Sequence, residues 1–284
     1  MVLRQNLIHN WYGRLGIMRL GFIGGGTMAE AILRGVLSAG LAKADDISVG
    51  EPVPVRSRFL SEEYGVRVDG DNLQVLTQAN LVVLAVKPQD LPVAMGQLNH
   101  RLTEDQSVLS IVAGARMSTL ARGLGHASVI RVMPNTPAQI GCGMSLWTCA
   151  QEVSQPQREF TKAILGTVGL ELYVNEEKYL DMATALSASG PGYIFLFIEA
   201  LIDAGVRVGL PRDMARTLAI QTVYGSAKLV METGKHPAEL KDMVVSPGGT
   251  TAEGLQVLER HGVPASIVEA VDAAYRKSIS LGQE

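Results

Sequence analysis

The run Ser246-Pro247-Gly248-Gly249-Thr250-Thr251 carries the residue types best suited to chemistry. It leads into Ala252-Glu253-Gly254-Leu255-Gln256-Val257-Leu258-Glu259, where Ala252, Leu255 and Leu258 recur at the spacing of a helix face. The run therefore stands at a helix start, where the first backbone N–H groups lack intrahelical partners. Glycines there let a ligand close on those N–H groups, and the helix dipole favours an anion. Two threonine hydroxyls add donors and acceptors. The pattern points to an anion-binding turn, although the loop taken alone favours a plainer one with a threonine N-cap.

A second glycine stretch, Gly24-x-Gly26-x-x-Ala29, follows the apolar run Arg19–Ile23 and opens a helix that stops at Gly40. It fits a dinucleotide-binding turn: Gly24 for the tight bend, Gly26 for close approach to a pyrophosphate, Ala29 for helix–strand packing. The next strand, Ile47–Gly50, ends at Glu51, 25 residues after Gly26, where an acid meets ribose hydroxyls and favours NADH. Arg56 and Arg58 follow and suit a 2′-phosphate. The three charges also read as solvated surface, so the coenzyme stays open. Lys87 reads as positional rather than as a catalytic acid. Ser187 and Ser189, in Leu186-Ser187-Ala188-Ser189-Gly190-Pro191-Gly192, lack a neighbouring histidine and read as a helix cap. Glu177 alone would be a surface charge.

The elements that must position these residues alternate. Further strand signals fall at Val66–Val68, Leu81–Val86, Val108–Val112, Val129–Met133 and Leu170–Val174, with helical segments between them. Asn135-Thr136-Pro137 and Gly141-Cys142-Gly143 read as a turn-rich connection. Beyond Lys178 only helical patterns remain, over 178–187, 192–208, 212–232, 237–244, 250–261 and 264–281. The expected fold is α/β: an N-terminal doubly wound, mostly parallel Rossmann-type domain over 18–175, then an all-α helical domain over 176–284. Residues 1–17 read as a loose N-terminal extension without the apolar run of a signal peptide.

Composition narrows the function classes. At 284 residues and 47% hydrophobic, the chain suits two folded domains. A net charge of −3 argues against nucleic acid or an anionic membrane as partner. Two cysteines, Cys142 and Cys149, suit a reducing, cytoplasmic setting, and no histidine or cysteine spacing fits a metal site. The most apolar segment, Tyr193–Leu210, carries Glu199, Asp203 and Arg207 and so reads as a buried helix rather than a membrane span. The apolar helices from Tyr193 to Val230 predict packing against another subunit.

Taken together the motifs resemble the pyrroline-5-carboxylate reductase family. The most specific stretch is Pro237-Ala238-Glu239-Leu240-Lys241-Asp242-Met243-Val244-Val245 with the Ser246–Thr251 run that follows it. Phe22-Ile23-Gly24-Gly25-Gly26, Ala85-Val86-Lys87-Pro88, Met133-Pro134-Asn135-Thr136-Pro137 and Leu186 to Tyr193 are similar to family blocks in the same order. The resemblance spans Leu20 to about Ser280. It implies hydride transfer from NADP(H), with NAD(H) as a second coenzyme, to pyrroline-5-carboxylate, giving L-proline in the last step of proline biosynthesis. By position it implies that Ile23, Gly24, Gly25, Gly26, Thr27 and Met28 hold the pyrophosphate and that Glu51 lies at the adenosine ribose. Asn72, Ala85, Val86, Lys87, Pro88 and Ala113 would line the groove toward the nicotinamide. Thr251 falls beside the substrate nitrogen, Glu177 where a product-binding glutamate sits, and Ser246, Gly248, Gly249 and Thr250 in the carboxylate loop. The resemblance further implies a homodimer, assembled into a larger homo-oligomer, with helical domains interleaved.

Two positions depart from the family pattern. Met243 stands where a relative has a cofactor-facing asparagine, and Glu51 stands where some NADPH-using relatives have a small residue. Two other readings make distinct predictions. A 3-hydroxy-acid dehydrogenase would need a catalytic lysine among the helices, and Lys228 and Lys241 lack the expected glycine neighbours. A non-catalytic dinucleotide sensor would leave the two-threonine turn without a purpose.

Overall fold

The computed structural model describes residues 18–282, so the expected extension 1–17 lies outside the described residues. By compactness the chain divides into residues 18–188 together with 274–282, and residues 189–273.

The first unit is built on β1 (Leu20–Ile23), β2 (Ile47–Gly50), β3 (Arg67–Asp69), β4 (Leu81–Leu84), β5 (Ser107–Ser110), β6 (Val129–Met133), β7 (Gly143–Cys149) and β8 (Gly169–Tyr173). They form one sheet in the order β3-β2-β1-β4-β5-β6-β7-β8. All neighbouring pairs are parallel except β6 with β7, so the expected mostly parallel, doubly wound sheet is what forms. Its helices are α1 (Thr27–Ala39), α2 (Pro54–Tyr64), α3 (Asn72–Leu76), α4 (Leu91–Leu98), α5 (Met117–Leu124), α6 (Gln155–Thr167) and α7 (Lys178–Ala183).

Side chains alternate across the pleat, so each central strand feeds two cores. Leu20 and Phe22 of β1 join Leu81 and Val83 of β4 and Ile32, Leu33 and Val36 of α1 on one face. Ile23, Val82 and Leu84 join Val75, Leu91 and Leu98 on the other. This double cover explains why β1, β4 and β5 are buried at every residue.

One strand is absent from the sequence reading. Gly143–Cys149 is β7, which begins at the last residue of the turn-rich connection and runs through a stretch with no strand signal of its own. Its buried residues include Ser145 and Thr148 beside Leu146 and Trp147, which blurs the apolar alternation a strand normally shows. The real turn is shorter, a 3₁₀ segment at Thr136–Ile140 ending at Gly141 with φ 72°.

The second unit is helical. It contains α8 (Gly190–Arg207), α9 (Arg212–Thr233), α10 (Pro237–Met243), α11 (Thr250–Arg260) and the start of α12 (Val263–Leu281), whose last residues belong to the first unit. Gly205 permits a close crossing of α8 and α9, since a methyl there would come within 2.9 Å of Ala215 Cβ. The expected burial of Tyr193–Leu210 is corrected: α8 has no buried residue within the single chain. Phe195, Leu196 and Phe197 are 61%, 67% and 46% exposed, an apolar surface that one helical pair is too small to cover.

Candidate active site

The strand order reverses between β1 and β4, and beyond the carboxyl ends of strands at such a reversal an open α/β sheet binds its ligands. Backbone ties shape that region. Gly24 N–H donates to Gly50 O at 2.9 Å, and Ala85 N–H donates to Ile23 O at 2.9 Å. Gly24 has φ 95°, and a methyl on it would lie 2.8 Å from Ala85 O, so only glycine fits. Gly26 differs. Its φ is −67°, and a Cβ there would meet no protein atom within 4 Å. As N-cap of α1 it offers no side chain, so the first amides of the helix, from Thr27 and Met28 onward, have no side-chain cap. This is the cradle a pyrophosphate requires: bare backbone, open approach and a helix N-terminus.

Glu51 follows β2 and faces this turn. Its Oε2 accepts from Gly25 N–H at 3.0 Å and its Oε1 from Val53 N–H at 2.9 Å. Arg56 reaches the same glycine from its other end, with Nε donating to Gly25 O at 2.6 Å and Nη2 to Gly26 O at 3.5 Å. Nη2 also pairs with Glu30 on α1, whose other oxygen accepts from the Tyr64 hydroxyl at 2.7 Å. Burial raises the Glu30 pKa, but the Tyr64 hydroxyl and the Arg56 guanidinium outweigh it and hold the carboxyl below its ordinary 4.5. Burial and the same Glu30 contact push the Tyr64 phenol up. Arg58 is exposed.

Other expected groove residues come from neighbouring strand ends. Asn72 opens α3 and donates to Gln97 Oε1 at 2.7 Å, while its Oδ1 lies hard against Gly50. Ala85 and Val86 are half-buried, and Lys87 and Pro88 are exposed where a 3₁₀ turn begins. Ala113 is half-buried beyond β5, beside Gly114, which has φ 78° and packs on Leu281.

Glu177 is not a free surface charge. Its Oε1 accepts from Met117 N–H at 2.7 Å and pairs with Arg131 Nη1 at 2.9 Å. Arg131, 2% exposed on β6, places Nη2 2.9 Å from Asp181 Oδ1. The sequence reading missed Arg131, although a lone charge inside Val129–Met133 is a usable signal. Ser187 accepts from Asn135 Nδ2 through its carbonyl at 3.2 Å and its hydroxyl at 3.3 Å. Ser189 stands at the N-cap of α8 without a side-chain cap bond.

In the second unit, Ser246 O accepts from Gly249 N–H at 2.9 Å. Pro247 and Gly248, with φ 67° at Gly248, supply the residues a type II turn demands. A methyl on Gly249 would strike Ser246 Oγ. The N-cap of α11 is Gly249 rather than a threonine, and no side-chain cap bond forms. The first amides of α11 are thus offered to a ligand at a dipole N-terminus, with Thr250 exposed and Thr251 half-buried beside them. Among the described residues no three His, Cys, Asp or Glu side chains cluster as a metal would need.

The chain is similar to known proteins along nearly its whole length. Residues 177–281 match a family model described as pyrroline-5-carboxylate reductase dimerisation, and residues 19–114 match one described as NADP oxidoreductase coenzyme F420-dependent. A pyrroline-5-carboxylate reductase of Synechocystis sp. is 44% identical over 267 residues, covering 94% of this chain and 99% of that protein. The chain belongs to the pyrroline-5-carboxylate reductase family. The solved reductase of Coxiella burnetii aligns with TM-score 0.85 at 33% identity, over 94% of this chain and 99% of that one. The Plasmodium falciparum pyrroline carboxylate reductase, solved with NADP bound, aligns with TM-score 0.85 at 31% identity, over 94% and 100%. Within this reductase family the glycine turn before α1 falls in the NADP oxidoreductase match, and Glu177 and the Ser246–Thr251 turn fall in the dimerisation match.

Proposed function

We propose that the chain reduces 1-pyrroline-5-carboxylate to L-proline, the last step of proline biosynthesis. The carrying observation is 44% identity to a named reductase along nearly the full length of both chains. The coenzyme is a reduced pyridine nucleotide, NADPH or NADH, which supplies a hydride to C5 of the ring. The uncapped turn before α1, over Ile23, Gly24, Gly25, Gly26, Thr27 and Met28, suits its pyrophosphate. Glu51 would meet the adenosine ribose, and Asn72, Ala85, Val86, Lys87, Pro88 and Ala113 would border the groove.

The imine nitrogen is basic, and its protonated iminium form is the one that accepts hydride at C5 most readily. The protein's task is to hold and orient the ring. Amides around Gly248 and Gly249 suit the carboxylate, with Ser246 and Thr250 at its edge. Thr251, half-buried, would hydrogen-bond the ring nitrogen. Glu177 has Oε1 committed to Arg131 and the Met117 amide, which leaves Oε2 for the product.

The division of labour follows the sequence: residues 18–175 bind dinucleotide, and 176–284 bind substrate and dimerise. The match to a dimerisation model over 177–281 accounts for the exposed apolar helices and supports a homodimer. A larger homo-oligomer of such dimers is the fuller proposal; a single-protomer mass in sedimentation would contradict the homodimer, and a dimer mass the larger assembly. The run Lys178–Arg207 is long and apolar enough to cross a membrane by length and composition. It lies inside the dimerisation match, so we assign it to subunit contact and the protein to the cytoplasm. Assay with 1-pyrroline-5-carboxylate, and with 3-hydroxy acids in reverse, tests the activity. Oxidation of NAD(P)H with the imine alone is expected, and turnover only with hydroxy acids would overturn it.

A further inference from the structure

We propose that this chain selects NADH over NADPH through a clasp on Gly25. In this clasp Glu51 faces the ribose end of the groove, while Glu30 and Tyr64 hold Arg56 against the glycine turn. The proposal rests on the reading of the β1–β4 reversal as a nucleotide site. Glu51 and Arg56 grip opposite ends of one residue, since Gly25 N–H donates to Glu51 Oε2 and Gly25 O accepts from Arg56 Nε. An acid at the end of the second strand meets the ribose 2′ position in this fold. An ionised carboxylate only accepts hydrogen bonds, so Glu51 can take one from a 2′-hydroxyl but none from a 2′-phosphate.

Of the two arginines that suit a 2′-phosphate, Arg58 is exposed and Arg56 is the one held at the glycine turn, where its charge is already answered. Its Nη2 pairs with Glu30 and leans on Gly26 O, its Nε is spent on Gly25 O, and its guanidinium lies 5.1 Å from the Phe59 ring centre. Tyr64 donates to the other Glu30 oxygen and fixes that acid in place. Glu30 is thus a positioning residue. It acts through Arg56, setting whether that residue presents net positive charge to the groove.

The test is direct binding of NADH and NADPH to the purified full chain, followed by nucleotide fluorescence, in the wild type, Glu51→Ser, Glu30→Gln and Tyr64→Phe. A like charge beside the phosphate predicts NADH tighter by about tenfold or more in the wild type. Glu51→Ser should close that gap by about tenfold, since it removes the opposing carboxylate. Glu30→Gln should tighten NADPH by about threefold and leave NADH within about twofold, since only the counter-charge on Arg56 is lost. Tyr64→Phe keeps the pair and should move NADPH in the same direction by less, a check if Glu30→Gln folds poorly. NADPH binding equal to or tighter than NADH in the wild type overturns the selection and leaves the reductase reading intact. An unchanged ratio in Glu51→Ser overturns it also. Binding of neither nucleotide would sink both.

Discussion

A methyl placed on Gly24 would come 2.8 Å from the carbonyl oxygen of Ala85, so the backbones of the β1 and β4 ends touch where the groove begins. Gly24 also holds φ 95°, which an L side chain rarely adopts. Gly24→Ala should therefore cost about 1–3 kcal/mol of stability and weaken nucleotide binding together. Gly26→Ala is the contrast. With φ −67° and open space around it, the variant should lose only the weaker N-cap, about 0.5–1 kcal/mol, yet lose nucleotide affinity. Thermal denaturation beside nucleotide titration separates the two effects. A loss in Gly26→Ala greater than about 1 kcal/mol, or none in Gly24→Ala, would contradict this division.

Arg131 holds Glu177 and Asp181 from within the sheet. Arg131→Met keeps the bulk and leaves two partly buried carboxylates without their cation. A loss of about 3 kcal/mol in denaturant unfolding is expected. A loss within experimental error would mean both acids find water at little cost.

The Glu30 clasp makes a pH prediction. Its folded carboxyl is held below its ordinary 4.5, so its contribution to stability is complete above about pH 4.5. That contribution is lost as pH falls through the lowered folded value. The melting-temperature gap between wild type and Glu30→Gln should be constant from neutral pH down to that point and shrink below it. A gap that widens with acid would contradict the sign.

Much of this was legible in the sequence because it is local. A glycine at positive φ between a strand and a helix, or Pro-Gly-Gly before a helical stripe, declares itself within six residues. Long-range partners do not. Nothing near Arg56 in sequence says that Glu30 and Tyr64 will hold it, and nothing near Glu177 names Arg131 or the Met117 amide. The strand β7 was hidden because Ser145 and Thr148 are buried where a strand pattern would put apolar residues. The loop taken alone favours a threonine N-cap because a hydroxyl is the commoner one, whereas Gly249 fills that position at α11 and leaves the amides open.

Thr251 carries the substrate half of the account. Thr251→Ala should lower turnover of the imine by about tenfold to a hundredfold, the worth of one hydrogen bond of about 1–3 kcal/mol, with nucleotide affinity unchanged. Steady-state kinetics beside nucleotide titration decides it. Unchanged turnover would remove Thr251 from the reaction.

The central claim is that this chain delivers a nucleotide hydride to C5 of the pyrroline ring. Reaction of the purified chain with 1-pyrroline-5-carboxylate and coenzyme deuterated at the transferable nicotinamide position tests it most directly. The account predicts L-proline carrying one deuterium at C5 for each coenzyme oxidised. Coenzyme bound without oxidation, or L-proline formed without the label, would contradict it.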